Sequence, residues 1–280
     1  RNNITDRTVI RKAMTLYPWQ QLQWQTLLTQ RKQNRLPHAI LLTGQCGLGK
    51  LDFANVLAKA VLCEQSHDFA CDQCRSCHLF NSGSHPDFMP VAVEEKSKTI
   101  KVDQIRELIA KLNQTSQRNG YQVAIINPAE ALNRAAANAF LKTLEEPAGQ
   151  VLLLLVSHQT NHLPATVLSR CQRLTFTSTD HAAVLSWLKS QVSTDVDAPL
   201  LLKMAHDAPL RVLHLVEANY LKLRDDLLGH LWQIHQNNAN PLAPSGALLK
   251  HDRDLLMQAF STIILDILRL QLQVNAHYIV

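Results

Sequence analysis

Three groups of residues in this chain have the types and spacing to do chemistry. The first is Gly44-Gln45-Cys46-Gly47-Leu48-Gly49-Lys50, which fits the phosphate-binding loop at every fixed position but the last. Its glycines let the backbone curl so that several N–H groups face one anion. A helix starting near Lys50 adds its positive end, and the Lys50 ammonium supplies a point charge. The last position of the pattern needs a Ser or Thr hydroxyl to hold Mg²⁺, and here it is Leu51. A leucine ligates no metal, so the loop reads as a phosphate cradle without its metal seat.

The second group is Cys63-x7-Cys71-x2-Cys74-x2-Cys77, four of the six cysteines within fifteen residues. Overlapping CxxC units bring thiolates onto one ion through tight turns, and four protein ligands leave no open position, so the site reads as structural Zn²⁺. His67, His78 and His85 are competing ligands, and an iron–sulfur cluster is the rival occupant. Cys46 and Cys171 lie outside the set. The third group is Ser169-Arg170-Cys171, whose arginine taken alone reads as a surface residue.

These groups need a scaffold. Ala39–Thr43 reads as a buried strand before the loop, and the helix after it runs to about Leu62. Trp19–Lys32 reads as a first helix, Pro86–Val91 as a short extended piece, Val102–Gln117 as an amphipathic helix and Tyr121–Ile126 as a strand. Asn133–Glu146 reads as a helix stopped by Pro147, Val151–Val156 as a strand apolar throughout, Leu163–Leu168 as a short helix-like piece and Leu174–Thr177 as a last strand. Strands alternating with helices predict an α/β parallel sheet covered on both faces. In a working ATPase the strand Val123–Ile126 ends in an Asp-Glu pair that organises Mg²⁺ and the attacking water. Here Asn127-Pro128 follow, and Glu130 falls too late in register. Two metal-handling positions, Leu51 and Asn127, are therefore unsuited to hydrolysis.

After Thr177 the strand signal stops. Ala182–Gln191, Pro199–Ala205 and Leu210–Tyr220 read as a three-helix bundle, Asn237–Pro244 as a polar break and Leu248–Val274 as one or two further helices. The expected domains are 1–178, 179–238 and 239–280. At 280 residues, 46% hydrophobic and 18% charged, the composition is that of an ordinary soluble protein. No apolar run approaches the roughly 20 residues of a membrane span, and no signal core begins the chain, so a cytoplasmic location is expected. The first residue is not methionine, and residues 1–16 are expected to be a fragment edge or an unordered leader. A net charge of +5 permits a nucleic-acid partner without arguing strongly for one.

The loop, the cysteine set, the run Ala135–Pro147 (AAANAFLKTLEEP) and the Ser169-Arg170-Cys171 triplet occur in this order in AAA+ clamp-loader subunits. Over residues 17–220 the chain resembles the delta-prime family of the bacterial DNA polymerase III clamp loader. That resemblance implies an AAA+ P-loop sheet with an inserted zinc module, a small helical lid-like bundle and a C-terminal helical segment contributing to a collar. It implies a degenerate nucleotide loop at Gly44, Gly47, Gly49 and Lys50, and zinc on Cys63, Cys71, Cys74 and Cys77. It also implies a stator role in DNA replication, without ATPase or polymerase activity of its own. Arg170 would act as an arginine finger, reaching in trans into a neighbouring subunit's ATP site. The partners implied are other clamp-loader subunits in a hetero-oligomeric ring, the sliding clamp and primed DNA. Only about 40 residues follow the break near 240, fewer than a whole collar domain implies, and Arg211 sits one position off the place of a nucleotide-sensing arginine. The rival readings are an active ATPase of the same architecture and a zinc-containing DNA-binding module.

Overall fold

The computed structural model describes residues 16–65, 68–95, 97–118, 120–178, 180–193, 196–236 and 252–272. The expected leader up to residue 15, the break at 237–244, the domain boundary at 239 and His67 lie outside the described residues. The chain divides into two compact units, Arg1–Thr179 and Asp180–Val280.

In the first unit five strands form one parallel sheet: β1 (Ala39–Thr43), β2 (Phe88–Ala92), β3 (Gln122–Asn127), β4 (Val151–Val156) and β5 (Gln172–Thr175), in the order β2-β3-β4-β1-β5. Side chains alternate between its faces. Ile40, Leu42, Val123, Ile125, Leu152 and Leu154 face one layer, where α1 (Gln21–Lys32) contributes Trp24 and Leu27, and α2 (Lys50–Leu62) contributes Phe53 and Leu57. Leu41, Ala124, Ile126, Leu153 and Leu155 face the other, where α4 (Val102–Leu112) brings Ile105 and Leu108 and α5 (Arg134–Glu145) brings Phe140 and Leu144. The expected parallel sheet with helices on both faces is thus present. Because the strands are parallel, β1, β3 and β4 deliver the loop, Asn127 and Ser157-His158 to one edge.

Most boundaries shift by one to three residues from the sequence reading, and two of the larger shifts have a physical reason. Helix α4 stops at Leu112 rather than Gln117, because the Asp87 carboxylate accepts the backbone N–H groups of Gln117 (2.9 Å) and Arg118 (3.2 Å) and turns the chain there. Strand β5 begins at Gln172, two residues early; its exposed Gln172 and Arg173 carry no apolar signal. The short α3 (Arg75–Asn81) and α6 (Ala165–Leu168) complete this unit.

The second unit contains α7 (His181–Gln191), α8 (Ala198–Met204), α9 (Pro209–Glu217), α10 (Tyr220–His235) and α11 (Arg253–Gln271). Asn219, at φ 49°, ends the helix expected over Leu210–Tyr220 at Glu217 and starts α10, a helix the sequence reading did not assign. The buried Arg224–Asp266 ion pair (2.8 Å) ties α10 to α11. No described helix is long and apolar enough to cross a membrane.

Candidate functional site

The loop closes on itself. Gly44 has φ 138° and Gly49 φ 74°, and a Cβ at Gly49 would lie 2.6 Å from the Tyr17 ring. The segment Tyr17–Gln20 packs over the loop. Trp19 Nε1 donates to the Leu48 carbonyl (3.1 Å), Gln20 Nε2 donates to those of Leu48 and Gly49, and the Tyr17 hydroxyl donates to Asp52 (3.1 Å). Lys50 is 2% exposed, and its Nζ donates to the carbonyls of Gly44 and Gln45 (2.7 Å) and meets His158 Nδ1 at 2.9 Å. Burial pushes the Lys50 ammonium down to about 8. Burial, with the Lys50 charge, lowers His158 as well, leaving Nδ1 as an acceptor.

The half-buried Leu51 packs against the apolar cluster of α2 and β1. The Asn127 side-chain oxygen is buried without a hydrogen-bond partner. Sequence reasoning set Glu130 aside and overlooked His158. A short turn, Ala129–Ala131, brings the Glu130 carboxylate back to accept the His158 N–H at 2.9 Å, within electrostatic reach of Lys50. The usable signal for His158 was its place just beyond a buried strand at the loop's edge of the sheet.

The cysteines converge. Cys63 ends α2, Cys71 lies in the connecting segment, Cys74 caps α3 and Cys77 lies in its first turn. Their four sulfurs lie within 4.8 Å of one another, with Cys63–Cys74 at 3.9 Å and Cys71–Cys77 at 4.0 Å. Tetrahedral Zn–S bonds of about 2.3 Å put sulfurs about 3.8 Å apart, so the set fits a metal ion of that size. None of the six cysteines is in a disulfide. Backbone N–H groups of Cys71, Gln73, Cys74 and Cys77 point at sulfur, an arrangement that suits thiolates. The Gln73 N–H leads in pulling the Cys71 thiol down to about 6, whereas burial drives Cys77 up. Among the described residues no histidine joins the set.

Surrounding contacts hold this knuckle. The buried Lys59 ammonium pairs with Asp72, lowering the Asp72 carboxyl. Phe69 stacks on Trp24, ring centroids 4.8 Å apart. His85, a candidate ligand, instead accepts the Asp87 N–H at Nδ1 (3.1 Å) and meets the Ser76 hydroxyl at Nε2 (2.6 Å), while Ser76 donates to the Leu62 carbonyl (2.6 Å). This chain of bonds requires a neutral ring with its proton on Nε2.

Burial leads in lowering the His85 pKa, and Arg118 assists against Asp87 and Glu64. The unfolded chain therefore takes up the proton first. The stability His85 contributes is complete above its ordinary 6.5 and is lost as pH falls below that value. Melting curves between pH 7.5 and 5.5 are expected to fall less steeply for His85→Gln than for the parent. Equal slopes would remove His85 from the acid response.

Arg170 follows α6. Its Nε donates to Glu145 Oε1 (2.6 Å), Nη2 donates to the same oxygen, and Nη1 donates to the Thr166 carbonyl (2.8 Å) and Ser169 Oγ (3.3 Å). The Arg170 side chain is 30% exposed. Cys171 faces the core, where burial pushes its thiol up to about 11. In the second unit Arg211 Nη2 donates to Gln258 Oε1 (2.5 Å).

A family model described as DNA polymerase III, delta subunit, matches residues 19–180. The DNA polymerase III subunit delta' of Pseudomonas aeruginosa is 37% identical over 92% of this chain and 78% of its own length. That of Haemophilus influenzae is 31% identical over 94% of this chain and 80% of its own. A solved DNA polymerase III gamma subunit-related protein of Thermotoga maritima aligns at 19% identity and TM-score 0.46, over 73% of this chain and 62% of that one. By this sequence similarity the chain belongs to the clamp-loader delta' family of DNA polymerase III.

Proposed function

We propose that this chain is a non-hydrolysing stator subunit of a cytoplasmic clamp loader, helping to load a sliding clamp onto primed DNA. The observation that carries the reading is the state of the loop. Lys50 is engaged with the loop's own carbonyls and His158, and Leu51 and Asn127 occupy the two positions where Mg²⁺ handling calls for a hydroxyl and a carboxylate. Such a subunit controls hydrolysis next door, and Arg170 is the group assigned to reach a neighbour's ATP. Residues 1–178 serve as the AAA+ domain, 179–238 as the lid-like bundle and 239–280 as a C-terminal helical segment contributing to a collar. Zinc is the metal assigned to Cys63, Cys71, Cys74 and Cys77, where it supplies cross-linking rather than reactivity.

The test is reconstitution with motor subunits, clamp and primed DNA, with ATP turnover and loading measured with and without this chain. The isolated chain is expected to hydrolyse no ATP above background. Lys50→Ala is expected to leave loading within about twofold of the parent while lowering stability by about 1–3 kcal/mol, because buried loop carbonyls lose their donor. Leu51→Thr alone creates no activity, since Asn127 still provides no carboxylate. Lys50-dependent turnover by the purified chain would replace the stator with an active ATPase.

A further inference from the structure

We propose that Glu145 is the positioning residue for Arg170, holding the guanidinium pre-formed for the neighbouring ATP site; this rests on the trans-acting reading of Arg170. The guanidinium has five N–H donors. Two go to Glu145 Oε1, from Nε and Nη2, and Nη1 contacts the Thr166 carbonyl and Ser169 Oγ. These contacts set the plane and the roll of the fork and leave one Nη2 hydrogen uncommitted to them.

The acceptors sit on rigid ground. Glu145 is the last residue of α5, which Asn133 caps at its start and which Phe140 and Leu144, each at most 1% exposed, anchor in the core. Thr166 belongs to α6, whose Val167 is fully buried. An ion pair with partners 30% and 49% exposed adds little to folding stability. Its consequence is conformational: a long side chain that otherwise samples many rotamers is confined before the ring assembles. A finger ordered in advance does not have to be ordered in the transition state, so its loss falls on turnover rather than on ATP affinity.

The experiment uses the reconstituted ring with clamp and primed DNA, comparing Glu145→Ala, Glu145→Asp, Arg170→Ala and the Glu145→Ala/Arg170→Ala double variant. Glu145→Ala is expected to lower kcat at the adjoining site about tenfold with KM for ATP within about twofold. Glu145→Asp should restore part of the loss. In the Arg170→Ala background Glu145→Ala should cost nothing more, because its whole effect passes through the guanidinium. A full additional loss in that background, or an unchanged kcat, would refute the assignment. A raised kcat would also refute it, showing that the carboxylate parks the finger and competes with phosphate for it. If Arg170→Ala itself leaves kcat untouched, the trans-acting reading fails first and the role of Glu145 goes with it. Failure of the Glu145 variants alone leaves that reading standing.

Discussion

Arg170→Ala is expected to reduce ATP hydrolysis at the adjoining site of the assembled ring about 10³-fold or more, roughly 4 kcal/mol of transition-state stabilisation. Clamp loading should slow with it, while the melting temperature of the isolated chain stays nearly constant. A guanidinium delivered to a γ-phosphate neutralises charge that develops only as the phosphoryl group transfers, so the loss appears in turnover. Arg170→Lys should recover only part of the rate, because an ammonium lacks the planar fork that binds Glu145 along one edge while it presents a donor to phosphate. The contact with Glu145 gives the competing account a concrete form, in which Arg170 braces α5 against α6. A brace predicts the reverse pattern: a lower melting temperature with hydrolysis per ring unchanged. Both quantities measured on one preparation separate the two.

The second large effect is at the cysteines. Cys74→Ser is expected to lower bound zinc from one per chain to a small fraction and to strip hydrogen-exchange protection from residues 71–82. For isolated zinc-binding peptides the metal contributes about 10–16 kcal/mol at neutral pH, and within this fold the loss is confined to the knuckle. Cys74 is an informative choice because its sulfur also caps α3 by accepting the Cys77 N–H. Serine keeps a capping acceptor and removes the soft ligand, so the metal and the cap are separated. Elemental analysis that finds iron, or no metal, in the parent protein would overturn the zinc assignment.

The sheet was readable from sequence where burial is complete. Ala39–Thr43 and Val151–Val156 are covered on both faces and carry apolar runs, interrupted only by the terminal Thr43, and the expected bounds match the observed ones. Legibility failed where tertiary bonds override local pattern. The end of α4 is decided by Asp87, about thirty residues away in sequence, and β5 is an edge strand whose exposed residues look like loop. The cysteine set was legible because CxxC spacing is local geometry. The environment of Lys50 was not, since His158 and Glu130 arrive from other strands and only the sheet order brings them there.

The stacking of Phe69 on Trp24 has an optical consequence. Trp24 is 2% exposed and lies between Phe53, edge-on at 5.8 Å, and Phe69 from the cysteine segment. Its indole emission therefore depends on whether that segment stays seated. Chelation that loosens the segment should shift the tryptophan spectrum to the red as water reaches the ring, and Phe69→Ala should mute the change. Against the other three tryptophans of the chain, Trp24 thus reports, without a label, whether the cysteine segment is seated.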